Sequence, residues 1–244
     1  MIAETARVEP CSLANLAESL SHDAGALLLE MQGSRLTSST KSSATDWVSE
    51  ADRQAEAFIA NALHTYRPDD GLVGEEGARS DSKNGYTWVV DPLDGTTNYL
   101  RGYPGWCVSV AVRMGDHVVA GVVYEPMTGT TWAAHIDGTS LRNGQQVNVA
   151  APVALEDMLV GTGFSYRKEE RIRQAGLLEK LLPEVADVRR CGSAALELAR
   201  VADGTLDAFV ESDLEPWDWA AGGFLMNELA VTANRGRRMG LQEC

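Results

Sequence analysis

The sequence predicts an α/β protein of the α+β kind, and three observations lead to that prediction. Apolar residues recur at helical spacing from Ser12 to about Met31, and Gly33 is suited to end that helix. Four β-prone runs joined by short turns follow between residues 85 and 135, which predicts a largely antiparallel meander. After Pro152, short strand and helix signals alternate, as they do in a small α/β lobe.

The first half is predicted to contain two helices and the meander. Ser12 is a suitable N-cap for the first helix, and the second is predicted from Glu50 to Tyr66. The strands of the meander are predicted at residues 85–91, 106–113, 117–124 and 130–135. Asn143 and Gly144 predict a tight turn before the segment from Val147 to Val149.

The second half is predicted to alternate strands with helices. Strands are expected at 158–161, 185–189 and 206–210, and helices at 168–182 and 193–202. We therefore expect a single domain over residues 1–244, with an N-terminal α+β lobe at 1–150 and a C-terminal α/β lobe at 151–244.

Composition narrows the class of protein. The chain has 244 residues and a formal net charge of −14, which argues against a nucleic-acid partner. The first ten residues contain no apolar core of a signal peptide, and no apolar run is long enough to cross a membrane. Four scattered cysteines, Cys11, Cys107, Cys191 and Cys244, predict buried free thiols rather than a zinc site. A cytoplasmic enzyme without a membrane partner is expected.

The segment Trp88 to Asn98 places two carboxylates at the end of an apolar strand. The strand is expected to stop at Asp91, because Pro92 has no N–H group for the sheet. Asp91 and Asp94 at one strand end favour a hard cation such as Mg²⁺, which prefers carboxylate and carbonyl oxygens. Gly95 permits a tight turn before two threonine hydroxyls. The alternative is an Asp-rich turn that caps a helix.

Two further segments contribute carboxylates. Glu75 and Glu76 follow a short apolar step bounded by glycines, and Asp218 follows Pro216 at a predicted helix start. Each has a structural alternative, because paired glutamates are common on solvated surfaces and an Asp at a helix start is a common N-cap.

Taken in order, these segments resemble the inositol monophosphatase family. The Gly-Glu-Glu, Asp-Pro-Leu-Asp-Gly-Thr-Thr-Asn and Trp-Asp-Trp-Ala-Ala-Gly elements are all present, and the segment from Lys41 to Asp52 is similar to a fourth. The resemblance implies a layered αβαβα fold of the sugar-phosphatase type and a Mg²⁺-dependent phosphomonoesterase.

The resemblance also implies roles for individual residues. Two to three Mg²⁺ ions are expected: the first on Glu75, Asp91 and the Leu93 carbonyl, the second on Asp91, Asp94 and Asp218, and a weaker third that also uses Glu75. The residues expected to hold the attacking water are Thr96 and Asp52, with Glu75 beside it. Gly95 and Thr96 are expected to contact phosphate, and Lys41 lies on a loop that reaches the active site.

Substrate selection is expected further along the chain. Gly192, Ser193 and Ala194 resemble the helix start that lines the family's substrate pocket, and Glu211 matches a carboxylate that binds inositol hydroxyls. Inositol 1-phosphate, hydrolysed by a metal-activated water, is the expected substrate. Histidinol phosphate is the first alternative, since a carboxylate can also pair with its ammonium group, and fructose 1,6-bisphosphate is the next. A non-catalytic protein-binding role is a further alternative, and Glu211 could also be an exposed acid at a strand end.

The segment after Gly222 departs from the family pattern. The residues from Glu228 to Thr232 lack the usual Gly-Gly turn, and a basic stretch with three arginines precedes Cys244. An altered edge of the C-terminal sheet is therefore expected, and an uncovered edge tends to pair with another chain. This edge predicts a homodimer with unusual packing near the C-terminus.

Overall fold

The computed structural model describes residues 9–37, 44–147 and 150–233. The helices in those ranges are α1 (Pro10–Thr37), α2 (Ala44–Tyr66), α3 (Thr96–Arg101), α4 (Lys168–Leu181), α5 (Ala194–Ala202) and α6 (Pro216–Ala233), with a 3-10 turn at Leu155–Asp157. The strands are β1 (Gly71–Gly74), β2 (Arg79–Ser80), β3 (Tyr86–Asp94), β4 (Cys107–Met114), β5 (His117–Glu125), β6 (Thr130–His135), β7 (Leu141–Arg142), β8 (Gln145–Gln146), β9 (Leu159–Thr162), β10 (Asp187–Arg189) and β11 (Ala208–Val210).

The first eight strands form one sheet in the order β2-β1-β3-β4-β5-β6-β7-β8. All its neighbours pair antiparallel except β1 and β3, which are parallel, so the predicted meander is confirmed. Asn143 and Gly144 form the β7–β8 turn with φ of 49° and 74°, as their sequence predicts.

Helices cover both faces of the large sheet. On one face, Leu28 of α1 and Ile59 of α2 belong to a fully buried cluster with Trp88. On the other, Leu196 of α5 and Leu225 of α6 belong to a second buried cluster. The alternation of side chains along a strand explains this division, because successive residues of β3 point to opposite faces.

A second sheet lies against α5. Its three strands are parallel, in the order β10-β9-β11, and β9 and β11 contact α5. Gln174 of α4 is buried, accepts a hydrogen bond from the Ser165 N–H and donates one to Ser212. Helices and sheets therefore alternate through the molecule, and the predicted layered α/β fold is confirmed.

Several predicted boundaries are wrong. Helix α1 begins at Pro10, because proline suits the first helical position, where a backbone N–H would have no helical partner. Ser12 therefore lies inside the helix and is not its N-cap, and the Ser12 hydroxyl donates to the Glu9 carbonyl at 2.7 Å. Gly33 does not end α1, because a helix can continue through an exposed glycine at a modest cost. Helix α2 begins six residues before the predicted Glu50. Among the cysteines, Cys107 is buried as expected, but Cys11 is exposed.

The predicted end of β3 at Asp91 is also wrong. The strand continues to Asp94, and its pairing with β4 shifts between Asp91 opposite Ser109 and Asp94 opposite Cys107. Pro92 and Leu93 therefore face a single residue of β4, which is the geometry of a β-bulge. The bulge accommodates the proline within the strand and turns both aspartates toward the site.

The described residues test three further predictions only in part or not at all. No helix in the described ranges is long and apolar enough to cross a membrane. The basic stretch before Cys244 and Lys41 lie outside those ranges. The division into two lobes at residue 150 stays a prediction, and α5 and α6 from the second half pack on the large sheet of the first.

Candidate active site

Asp91 is at the bulge of β3, in the middle of the large sheet. Its side chain is buried, and Oδ1 accepts the Leu93 backbone N–H at 2.9 Å. This local bond is an Asx-type turn, which holds the carboxylate at the strand end.

Asp94 joins the large sheet to α5. Its Oδ2 accepts the Ser193 hydroxyl at 2.7 Å and the Ala195 backbone N–H at 2.8 Å. The same Ser193 oxygen accepts the Leu196 N–H at 3.2 Å, so Ser193 is the N-cap of α5. Sequence reasoning placed Ser193 in the substrate pocket and missed that it also orients a predicted metal ligand.

Glu75 reaches the same place from the neighbouring strand. It directly follows β1, and its backbone N–H donates to the Val90 carbonyl of β3 at 3.2 Å. Because β1 and β3 are parallel, their carboxyl ends meet at one edge. Burial raises the pKa of Asp91, and the Glu75 and Asp91 carboxyls are close enough there that the charge of Glu75 raises it further.

Asp218 comes from the start of α6. Pro216 is the first helical residue, and the Asp218 carboxylate accepts the Glu215 backbone N–H at 2.7 Å. The predicted helix start is therefore confirmed, and the carboxylate that caps it also faces the site.

These side chains line one cavity of about 140 Å³. The predicted residues in its wall are Glu75, Asp91, Leu93, Asp94, Gly95, Thr96, Gly192, Ser193, Ala194, Glu211 and Asp218. Asp52 is buried next to this set rather than in the wall, and its Oδ1 has no hydrogen-bond partner among the described residues. The wall residues that sequence reasoning missed are Thr162, Gly163, Phe164, Tyr166, Arg190, Glu197 and Leu214.

The turn after β3 brings its backbone close to neighbouring segments. Gly95 has φ of +97°, and a Cβ there would lie 2.8 Å from the Gly105 carbonyl oxygen, so glycine is required. The Thr96 hydroxyl donates to the Leu93 carbonyl at 3.2 Å. That carbonyl oxygen keeps a second lone pair, which suits its predicted role as a ligand.

Asn98 is a further positioning residue that sequence reasoning did not single out. Its amide donates to the carbonyls of Gly105 and Cys191, both at 2.7 Å. These bonds tie α3 to the segment that precedes Gly192. Its place at the end of the acidic motif was the only sequence signal.

Burial makes the acidic groups of the cavity hard to ionise without a cation. It raises the pKa of Asp91 well above its usual range, and the charges of Glu75 and Asp94 raise it further. The pKa of Asp94 rises to about 7 through burial, although hydrogen bonds from Ser193 and Ala195 oppose the shift. Burial also raises the pKa of Glu75 and of Asp218.

The same effect is strong at Asp52. Burial and the nearby charges of Glu76, Glu75 and Glu56 raise its pKa to about 8. The charge of Arg53 opposes this rise but is the smallest of these effects. No ion pair among the described residues includes a cavity carboxylate.

The donor set fits Mg²⁺. Four carboxylates and the Leu93 carbonyl are all hard oxygen donors in one cavity. Within the described ranges, no three His, Cys, Asp or Glu side chains are already spaced as a formed metal site. Three of the four, Asp91, Asp94 and Asp218, instead each accept hydrogen bonds from N–H or O–H groups. A cation would have to draw these oxygens together.

Two further carboxylates, those of Glu197 and Glu211, lie in another part of the cavity wall. Glu197 is buried and accepts the Cys191 N–H at 2.6 Å. Gly161 and Gly163 lie two residues apart, at and just beyond the end of β9, and a Cβ on either would overlap the carboxylate of Glu197 or Glu211, respectively. Burial raises the pKa of both glutamates to about 7. Alternating glycines therefore make the space for the buried Glu197 and the half-buried Glu211.

Comparison with known proteins gives consistent results. The pattern of the Inositol monophosphatase family matches residues 10–238. An inositol-1-monophosphatase of Mycobacterium leprae is 37% identical over 251 residues, covering 95% of this chain and 86% of its own. The Nus factor SuhB of Xylella fastidiosa is 39% identical over 184 residues, covering 75% of this chain and 66% of its own. The solved structure of Mycobacterium tuberculosis SuhB has a TM-score of 0.82 and 34% identity, covering 92% of this chain and 86% of that one.

Fold, cavity and relatives together define a phosphoric monoester hydrolase. The chain belongs to the inositol monophosphatase family. The family resemblance predicted from the sequence is confirmed.

Proposed function

We propose that this chain is a Mg²⁺-dependent phosphomonoesterase that hydrolyses inositol 1-phosphate with water as the nucleophile. The observation that supports this most strongly is the meeting of Glu75, Asp91, Asp94 and Asp218 in one cavity, with none of them in an ion pair among the described residues. Asp91 is buried and Asp94 and Asp218 are half-buried. Carboxylates in such places are costly without a counter-charge, which favours a site whose charge is completed by bound cations.

The proposed metal ligands are those assigned by resemblance. Glu75, Asp91 and the Leu93 carbonyl would hold one ion, and Asp91, Asp94 and Asp218 another, with a weaker third near Glu75. Mg²⁺ in this place supplies positive charge for the phosphate and a bound water of lowered pKa.

The remaining residues position the reactants. Gly95 and Thr96 are proposed to hold the phosphate, because both lie in the cavity wall beside the acids. Thr96 and Asp52 are proposed to orient the water and accept its proton. The raised pKa of Asp52 fits a group that exchanges a proton near neutral pH.

Glu211 is proposed to select the alcohol part of the ester. Its carboxylate lies in the same cavity wall as Ser193 and Ala194. A carboxylate accepts hydrogen bonds from the hydroxyls of a polyol, which agrees with the substrate named for the Mycobacterium leprae relative. The same group could hold an ammonium, so histidinol phosphate is the matched comparison.

The experiment is phosphate release from inositol 1-phosphate, histidinol phosphate and fructose 1,6-bisphosphate, each with Mg²⁺ and with excess chelator. We expect inositol 1-phosphate to be the best substrate and chelator to abolish its hydrolysis. Another ester as best substrate would overturn the substrate assignment alone. Metal-independent release would overturn the proposed chemistry. Hydrolysis of none of the three would instead favour a protein-binding role, as the Nus factor name of one relative suggests for that relative.

A further inference from the structure

The turn that presents Glu75 is fastened to α2 by one buried carboxylate, that of Glu56. Its Oε2 accepts the Glu76 backbone N–H at 2.8 Å, and its Oε1 accepts the Ala78 N–H at 2.7 Å. Glu56 is only 4% exposed. Both carboxylate oxygens of Glu56 therefore accept hydrogen bonds from the turn of residues 75–78.

The rest of that turn is held mainly by the large sheet. The Glu75 N–H donates to Val90 at 3.2 Å, and the Gly74 N–H donates to Ala78 at 2.8 Å. A Cβ on Gly74 would overlap the Glu56 carboxylate. Glycine at this position therefore makes room for the acid, and Glu56 supplies the attachment on the helix side.

Glu56 does not belong to the cavity wall. It lies one helical turn after Asp52, so both side chains lie on the same side of α2. Its described partners are backbone N–H groups, and no described ion pair includes it. A buried charge held only by the turn next to Glu75 indicates a role in placing that turn.

We propose that Glu56 is a positioning residue that sets the place of Glu75 relative to Asp91, and thereby the affinity of the site for Mg²⁺. This inference rests on the proposed function, since it assigns Glu75 to a metal. Two parallel hydrogen bonds to a carboxylate fix both the position and the orientation of the turn. Loss of such outer partners weakens metal binding by roughly 10- to 100-fold in metalloproteins.

The direct test is Glu56→Gln. Glutamine has the same size but replaces one acceptor oxygen with an NH₂ group, which would face a backbone N–H. We expect Mg²⁺ binding, measured by calorimetry on the metal-free protein, to weaken roughly 10- to 100-fold. Thermal unfolding of the metal-free protein, measured alongside, separates this effect from a loss of fold.

The matched control is Glu50→Gln on the same helix. Glu50 is exposed and bonds to Arg53 and Gln54, so the variant removes one charge without touching the turn. We expect its Mg²⁺ affinity to equal that of the wild type. Equal weakening in both variants would show a general charge effect and overturn the proposal.

A second variant, Gly74→Ala, displaces the Glu56 carboxylate without changing any charge. We expect the same weakening of Mg²⁺ binding as in Glu56→Gln, and this variant decides the question if Glu56→Gln does not fold. Folded variants with wild-type affinity would overturn the proposal. So would failure of both variants to fold, since Glu56 would then maintain the fold rather than place Glu75.

The outcomes separate this inference from the proposed function. A wild-type protein that binds Mg²⁺ but hydrolyses no ester contradicts the proposed function, while the affinity of Glu56→Gln still decides the role of Glu56. A wild-type protein that binds no Mg²⁺ overturns both.

Discussion

Hydrogen bonds from nearby groups orient three of the four carboxylates that are proposed to bind metal. Asp91 is held by the N–H of Leu93, Asp94 by Ser193 and Ala195, and Asp218 by the N–H of Glu215. Hydrogen bonds to the charged form oppose the rise in pKa that burial causes. Local donors therefore keep these acids oriented toward a shared cavity before any cation is present.

We predict that Asp94→Asn and Asp218→Asn each lower kcat by about 100-fold or more, because each removes a charge from the proposed metal site while nearly keeping its shape. Steady-state phosphate release measures the loss, and circular dichroism checks that the fold is kept. Near-normal turnover in either variant would contradict the assignment of these residues as metal ligands.

We predict that Glu211→Gln changes the preferred ester but leaves hydrolysis of a simple aryl phosphate mostly intact. Gly163→Ala is a useful second variant, because its new Cβ would displace the same carboxylate without a change of charge. The measurement is kcat/KM for inositol 1-phosphate, histidinol phosphate and an aryl phosphate. An equal loss on all three esters would show that Glu211 does not select the substrate.

Among the elements, the large sheet could be predicted from the sequence because its signals are local. Alternating apolar residues and turn pairs such as Asn143-Gly144 locate strands directly. The end of β3 could not be predicted, because Pro92 is accommodated by a bulge that depends on the pairing with β4. The bond between Ser193 and Asp94 joins residues 99 positions apart, so only the folded packing reveals it.

We predict that Glu197, at the start of α5, makes the metal-free protein less stable as pH rises. Burial raises its pKa from 4.5 to about 7, so the folded state binds the proton more tightly than the unfolded state. The free energy of unfolding should therefore fall between about pH 4.5 and pH 7 through this group. Glu197→Gln should reduce that fall while keeping an oxygen to accept the Cys191 N–H.

Urea unfolding at several pH values between about 5 and 8 measures the effect of Glu197. An exposed acid of α4, Glu179, offers a control as Glu179→Gln, which should follow the wild-type pH dependence. A Glu197→Gln protein with the wild-type pH dependence would show that this carboxyl does not titrate as its burial predicts.

For the whole molecule, we expect a homodimer. Within the described residues, β10 and β11 each pair only with β9, which leaves both edges of the small sheet without a further strand. Such edges tend to pair with other chains. One chain has a mass of 26.3 kDa, so light scattering at micromolar concentration should give twice that mass. A single species of that one-chain mass would contradict the prediction.

We also predict that Mg²⁺ stabilises the whole molecule. Its proposed ligands lie just after β1, in β3 and in α6, and therefore join both halves of the chain. A ligand at 100 times its Kd that binds only the folded state adds about 2.7 kcal/mol per site. For a domain of this size that raises Tm by roughly 5–10 °C. Calorimetry with Mg²⁺, with chelator, and with NaCl at matched ionic strength measures the shift. An equal rise with NaCl, or an undiminished Mg²⁺ effect in Asp94→Asn, would show that the stabilisation comes from screening of the −14 net charge rather than from this site.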